Sequence, residues 1–304
     1  MHILILGSKG FVGNAFSEKL SNTEHNIIKA HKSDLDLRSE DQTTDYLSKH
    51  DFDLIINTAA DVGSVHYVTR NCADVLSNNL NISLALYNSI KKLKKKPSII
   101  NLISNCCYPG DVGIQKEGEF DLGPVHDSVF AYGYYKRTLI YLSQAFNRQY
   151  SINTKNIMLP GIFGPGDSSD PDKVHALNGM IIRMLETAEA KKNEFIVWGS
   201  GKPVRDWIYI DDVISATLKI YQDNNNFLIP INISEGKGYT ITDSAKNIAN
   251  AISFKGKITY DKNYQDGAAE KILIPKEFVK KYPNFKFTDH NEAIRNTVIY
   301  YKEK

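Results

Sequence analysis

Tyr132 and Lys136 stand four residues apart in Tyr132-Gly133-Tyr134-Tyr135-Lys136, a spacing that puts both side chains on one helix face. A neighbouring ammonium stabilises a phenolate, whose ordinary pKa is about 10, and makes the tyrosine a usable acid or base near neutrality. The chain holds 17 tyrosines, so the spacing alone means little and position must decide. The pair follows an apolar run, 98–104, that ends in Ser104. A serine there can hold a carbonyl oxygen while Tyr132 gives or takes its proton. The second chemical signal is Gly7-Ser8-Lys9-Gly10-Phe11-Val12-Gly13, directly after a short apolar run and opening a helical pattern. The first glycine permits a tight turn, the second lets backbone approach a pyrophosphate, and the third lets helix pack on strand. The helix start adds free N–H groups and a positive dipole end for the phosphates. Carbonyl chemistry beside a bound dinucleotide is the expectation.

The elements that must position these groups are legible in the hydrophobic pattern. Strands are expected at 2–6, 26–30, 53–57, 98–104 and 154–159, with helices near 11–20, 41–49, 71–94 and 130–149. Continuous apolar strands separated by helices predict a parallel sheet covered on both faces, a doubly wound α/β fold of the Rossmann type. The second half reads as a smaller mixed α/β unit. A helix starts near His175, strands follow at 195–198, 207–210 and 230–234, and helices begin near Asp211 and Thr242. The expected division is 1–160 for the dinucleotide, with 206–234 returning to it, and 161–205 plus 235–304 for the substrate. No low-complexity linker separates the halves, so they should interleave.

Composition excludes several classes. Hydrophobic residues make up 42% and charged residues 24% of the 304, which argues against disorder and fibrous structure. Lys plus Arg is 37 against 35 for Asp plus Glu, a net charge of +2, so neither nucleic acid nor a membrane surface is an expected partner. Three cysteines, two of them adjacent, rule out a disulfide framework and favour a reducing cytoplasm. The first apolar run is too short for a signal peptide, and no stretch reaches the length of a membrane span. No metal site is expected.

The GxxGxxG spacing, with Ser104, Tyr132 and Lys136 in that order behind it, resembles the short-chain dehydrogenase superfamily. Leu102-Ile103-Ser104-Asn105-Cys106-Cys107-Tyr108-Pro109 narrows this to its extended branch, being similar to the Leu-Gly-Ser-Ser-Cys-Ile-Tyr-Pro stretch of GDP-L-fucose synthases. The resemblance continues through Ala59 to Gly63, through Lys173-Val174-His175-Ala176-Leu177, and through Val197-Trp198-Gly199-Ser200-Gly201-Lys202-Pro203-Val204-Arg205-Asp206. It implies an NADPH-dependent C4 reductase of a GDP-4-keto sugar, a 6-deoxyhexose or heptose, acting as a homodimer. Cys106 matches the base and His175 the acid of C3/C5 epimerisation. A thiol beside cations is a competent base, and inverting a stereocentre needs a base on one face and an acid on the other. Cys107 is expected to be a small buried hydrophobe.

The resemblance also places Asp36 on the adenine side and Ala59, Ala60 and Pro160 against the cofactor. Asn105, Arg183, Trp198, Arg205 and Lys271 match positions that meet the GDP-sugar. No acid follows Ala30 until Asp34, and Lys9 and Lys32 can neutralise a 2′-phosphate, so NADP(H) is expected over NAD. The chain departs from the pattern at Gly161 and Phe163, where the family has Asn and Tyr, and at Asp61, Asn105 and Glu270. Gly161 and Asp61 are expected to open the pocket to a larger or differently hydroxylated sugar. Rival readings are a UDP-hexose 4-epimerase-like enzyme with tightly bound NAD and a non-catalytic cofactor-sensing protein. The first has no use for Cys106 and His175, and the second usually loses the Tyr or the Lys.

Overall fold

The computed structural model describes residues 1–31, 33–223, 226–264 and 266–304. In chain order the elements are β1 (His2–Leu6), α1 (Phe11–Ser21), β2 (Asn26–Ala30), α2 (Glu40–Ser48), β3 (Leu54–Asn57), α3 (Val65–Arg70), α4 (Cys72–Lys92) and β4 (Ser98–Ser104). There follow β5 (Ile114–Lys116), α5 (Phe130–Tyr150), β6 (Thr154–Leu159), β7 (Gly161–Phe163), α6 (Ala176–Glu189), β8 (Glu194–Trp198) and β9 (Val204–Tyr209). The chain ends with α7 (Ile210–Tyr221), β10 (Phe227–Asn232), β11 (Gly238–Thr240), α8 (Ile241–Ile252), β12 (Lys257–Asp261), β13 (Glu270–Ile274), α9 (Lys276–Lys281) and α10 (His290–Lys302).

Six parallel strands form the main sheet in the order β10-β6-β4-β3-β1-β2. Ile3, Leu4, Ile5 and Leu6 are fully buried, as are Leu54, Ile55 and Ile56, because helices cover both faces. That is why these strands read as unbroken apolar runs. The chain leaves β1 toward β2 on one side and returns to place β3 on the other. The carboxyl ends of β1 and β3 therefore flank a topological switch point, where open α/β sheets bind ligands. Polar side chains also cross the middle of the sheet. Asn101 donates to Asn156 at 3.1 Å and to the Tyr87 hydroxyl at 2.9 Å, and Asn57 donates to Asn101 at 3.2 Å.

A second sheet runs β11-β9-β13-β5, with β7 pairing β9, and β8 pairs β12 separately. β5 comes from the first half of the chain, so the second sheet draws strands from both halves. β9 lies wholly in this second sheet, which differs from the expectation that residues from 206 onward return to the main one. The return is made by α7 and β10; pairing with β7, β11 and β13 claims β9. No helix among the described residues is long and apolar enough to cross a membrane.

Candidate active site

The glycine turn sits at the switch point. Gly7 has φ +74°, a left-handed conformation suited to glycine, and a β-carbon there would lie 2.8 Å from the Ala59 backbone. At Gly13 a β-carbon would lie 2.2 Å from the Gly7 carbonyl oxygen, so α1 can reach β1 only without one. Gly10 differs, since only the Gly7 oxygen, at 3.3 Å, would come near its β-carbon. Packing demands the outer glycines, while the middle one leaves the α1 N-terminus bare on its open side, with no side chain capping the helix. This is the cradle a pyrophosphate requires, and the residues fit a dinucleotide. Ser8 ties the turn to the end of β2, its hydroxyl donating to the Ala30 carbonyl at 3.1 Å and lying 3.2 Å from His31 Nδ1. Phe11 and Val12 are half-buried, Lys9 is exposed, and buried Ala59 and half-buried Ala60 follow the end of β3. Lys32 lies outside the described residues. Asp36 is paired with Arg38 through two guanidinium bonds of 2.8 and 2.9 Å.

Beside the switch point, β4 delivers Ser104 and then turns through a single 3-10 turn, Asn105–Cys107. The Ser104 hydroxyl accepts the Cys106 N–H at 3.3 Å, which fixes the turn to the strand end. α5 packs directly on this turn, and Gly133 makes that possible because a β-carbon there would fall 2.5 Å from the Cys106 carbonyl oxygen. Arg137, one turn further along α5, donates to the Cys107 carbonyl at 2.6 and 3.1 Å and to the Gly123 carbonyl at 2.8 Å. Tyr132 and Lys136 therefore arrive with the thiol turn clamped against their helix. Lys136 is buried, donates to the Leu102 carbonyl at 2.7 Å, and carries its Nζ 5.3 Å from the centre of the Tyr132 ring. Burial lowers its pKa to about 8, opposed by the neighbouring Cys107 and Cys106 thiols.

Tyr132 departs from the sequence expectation. Burial, with Tyr135 and the two cysteines adding to it, raises its hydroxyl well above 10 rather than lowering it. The ammonium lies over the ring and is turned to a backbone carbonyl, so desolvation wins. A firmly protonated phenol suits a proton donor. Cys107 is fully buried, its thiol raised by desolvation and set 3.8 Å from Met158 Sδ, as a small hydrophobe should be. Asn105 is buried at the start of the turn, and Pro160 is buried just beyond β6.

The cations arrive from the second sheet. Arg205 and Lys271 are register partners on the parallel strands β9 and β13, which sets them side by side. Burial lowers the Arg205 guanidinium, while Cys106 and Asp266 lie close enough to favour its charge, so this cation shares the thiol's surroundings. Further out, the Arg183 guanidinium sits 3.9 Å from the centre of the Trp198 ring, and Trp198 stacks on Tyr264 at 4.8 Å and 11°. His175 makes its contacts elsewhere. It stands at the start of α6 with its ring 5.5 Å from Phe11 of the glycine turn and its Nδ1 3.1 and 3.2 Å from the two Asp167 oxygens.

Gly161 does not open the pocket as expected. A β-carbon there would meet the Trp207 ring at 2.6 Å, so the room an Asn would take is filled by the protein itself. Asp61 is bound by the Tyr67 hydroxyl at 2.7 Å and Asn78 Nδ2 at 2.8 Å, which ties it to the helices beneath. Three residues escaped the sequence reading. Arg137 holds the Cys107 carbonyl, and Asp167 bonds to His175. His126 is lowered by burial, then by Lys271 and Arg205 nearby, while its Nδ1 accepts the Ser128 N–H at 3.2 Å. A carboxylate spaced before a histidine is the one signal that could have found Asp167.

The chain is 29% identical to GDP-L-colitose synthase of Yersinia pseudotuberculosis over 90% of its own length and 89% of that protein. It is 26% identical to GDP-L-fucose synthase of Escherichia coli K12, over 89% and 87% of the two chains. A crystal structure of a GDP-L-fucose synthetase from Naegleria fowleri bound to NADP superposes with a TM-score of 0.90 at 25% identity, covering 99% of this chain and 92% of that one. The profile of the NAD dependent epimerase/dehydratase family matches residues 3–234, and the chain belongs to that family.

Proposed function

We propose that this protein is an NADPH-dependent C4 reductase of a GDP-4-keto sugar that also epimerises carbons flanking the ketone. The observation that carries the reading is the clamping of the Ser104–Cys107 turn against the helix that carries Tyr132 and Lys136. The relatives named above and the NADP-bound neighbour supply the substrate class and the cofactor. NADPH, when bound, supplies the hydride that reduces C4. Gly7, Gly10 and the α1 N–H groups hold its phosphates, and Lys136 holds the nicotinamide ribose. The Ser104 hydroxyl donates to the C4 carbonyl oxygen, and Tyr132 gives that oxygen its proton. In epimerisation the same two donors stabilise the enolate while the Cys106 thiolate removes a ring proton and His175 returns one to the opposite face. Arg205 and Lys271 pair with the diphosphate, and Arg183 and Trp198 flank the nucleotide.

In this reading the main sheet serves the dinucleotide and the second sheet with α6 serves the sugar. We also place the enzyme in the cytoplasm, with its cysteines free. A homodimer through α4 and α5, whose Leu84, Phe130 and Tyr141 are exposed, completes the proposal. Incubation with GDP-4-keto-6-deoxy-mannose and NADPH in D₂O tests it. NADPH absorbance should fall, and deuterium should appear at carbons beside C4. Cys106→Ser should slow that exchange and leave reduction of an already epimerised ketone largely intact. Reduction without ring deuterium would reject the epimerase half, and no NADPH consumption would reject the whole.

A further inference from the structure

His175 stands at the start of α6 with its ring partly exposed, yet its Nδ1 side is enclosed by one buried residue. Asp167 is 3% exposed, and nearly everything its carboxylate touches belongs to His175 or to the turn that carries it. One oxygen accepts the His175 backbone N–H at 2.9 Å and Asn178 Nδ2 at 2.8 Å, and the other accepts the Ser168 N–H at 2.8 Å. Both lie within 3.2 Å of the ring nitrogen. Asn178, itself fully buried in the first turn of α6, accepts the Gly164 N–H at 3.2 Å and so cannot turn its amide round without losing both bonds. Burial works to raise the Asp167 carboxyl, but hydrogen bonds and charge from His175, together with Asn178, hold it below the ordinary carboxylate value. It is a pure acceptor, so the bond to the ring must carry its proton on Nδ1.

We propose that Asp167 is the positioning residue of His175, holding the imidazole in the Nδ1–H form so that any proton it delivers leaves from Nε2. The proposal rests on the reading of His175 as the epimerisation acid. In that step the Nε2–H bond of the imidazolium breaks, the enolate's electron pair forms the new C–H bond, and the ring is left neutral with its Nδ1–H still on Asp167. Without the carboxylate, a neutral ring is free to place its proton on Nε2, and nothing stabilises the cation that must form first. The Phe11 ring of the glycine turn lies 5.5 Å from the imidazole.

Asp167→Asn isolates the effect. Every orientation of the amide sets its NH₂ against N–H donors that the carboxylate accepts, and donation to Nδ1 selects the opposite tautomer. ¹⁵N spectra of the full-length protein, with the His175 signals identified by their loss in His175→Ala, read this without turnover. The wild-type neutral ring should show a protonated Nδ1 and a bare Nε2, and Asp167→Asn should reverse or average the two. A wild-type ring protonated on Nε2, or a tautomer unchanged in Asp167→Asn, would overturn the proposal. The wild-type measurement decides even if the variant does not fold. With GDP-4-keto-6-deoxy-mannose and NADPH in D₂O, ring deuterium incorporation should fall about 10²–10⁴-fold in kcat for Asp167→Asn, with KM little changed. Full exchange in a variant of altered tautomer would also count against it. Absence of any exchange by the wild type would instead reject His175 as the acid, while the tautomer still reports on Asp167.

Discussion

Gly133→Ala tests whether α5 and the thiol turn are pressed together as described. Its β-carbon would stand 2.5 Å from the Cys106 carbonyl oxygen and 3.1 and 3.2 Å from Val125 side-chain atoms. Ordinary contact begins near 3.4 Å, so about 0.9 Å of movement is required against the carbonyl. A backbone carbonyl cannot swing away as a side chain can, and the adjacent Cys107 carbonyl is fixed by Arg137. The displacement must therefore fall on Cys106 or on Tyr132. Overpacking costs ~1–3 kcal/mol, offset by ~1 kcal/mol because alanine is the better helix former, leaving a net loss of ~0–2 kcal/mol. Misplacing a reacting group by nearly 1 Å costs far more in rate, on the order of 10²-fold. Urea unfolding gives the first quantity, and NADPH oxidation with ring-deuterium incorporation gives the second. A variant stabilised by ~1 kcal/mol with unchanged turnover would refute the reasoning, since that is what alanine does at an uncrowded helix position.

Lys136 gives a pH signature in the cofactor-free protein. Its pKa is about 8 when folded against 10.5 for the ordinary group, so the unfolded chain binds more protons between those values and stability rises with pH across that window. Against Lys136→Met, the wild type should gain ~2–3 kcal/mol between pH 8 and pH 10; a flat difference in urea midpoints would contradict the burial argument. Tyr132→Phe should lower reduction by ~10²–10⁴-fold with NADPH affinity retained, whereas Lys136→Ala should lose both, as fluorescence titration and turnover would report. NADPH should be favoured over NADH in kcat/KM by at least about tenfold, the worth of one 2′-phosphate contact to a cation at ~1.5–3 kcal/mol. Equal efficiency with NADH would remove that contact. Gly161→Asn should destabilise by ~1–3 kcal/mol because its β-carbon meets the Trp207 ring, and by less in a Trp207→Phe background.

Most of the main sheet is legible because buried parallel strands read as apolar runs: 2–6, 98–104 and 154–159 are β1, β4 and β6 residue for residue, and the partly exposed edge strand β2 matches 26–30. The second sheet left a weaker trace. β5, β7 and β11 have three residues each, too few for a period to register, and β9 was read from its apolar end alone because Val204, Arg205 and Asp206 do not look like a strand. The motif residues were legible by position, but their electrostatics were not. Sequence places an ammonium four residues from a phenol; only the fold turns that ammonium to the Leu102 carbonyl and desolvates the phenol hydroxyl beside Tyr135 and the two cysteines, which raises it. Gly161 is the same case, since the absence of a side chain does not say that Trp207 fills the space.

The placement of β5 explains how two halves of the chain hold one site to tolerance. The thiol turn ends at Cys107, and from Ile114 the chain pairs with β13 in a fixed parallel register, Ile272 opposite Ile114. β13 in turn sets Lys271 opposite Arg205 on β9. The paired cations are thereby held by ladders of backbone hydrogen bonds through β5, β13 and β9, and residues 108–113 join those ladders to the thiol turn. The buried Asp206 reinforces this from beneath, accepting the Leu273 N–H at 3.1 Å and the Ser234 hydroxyl at 2.5 Å. His175 has no such ladder. It depends on a loop, and the Asp167 carboxylate with its donors supplies the rigidity that strand pairing supplies to the others.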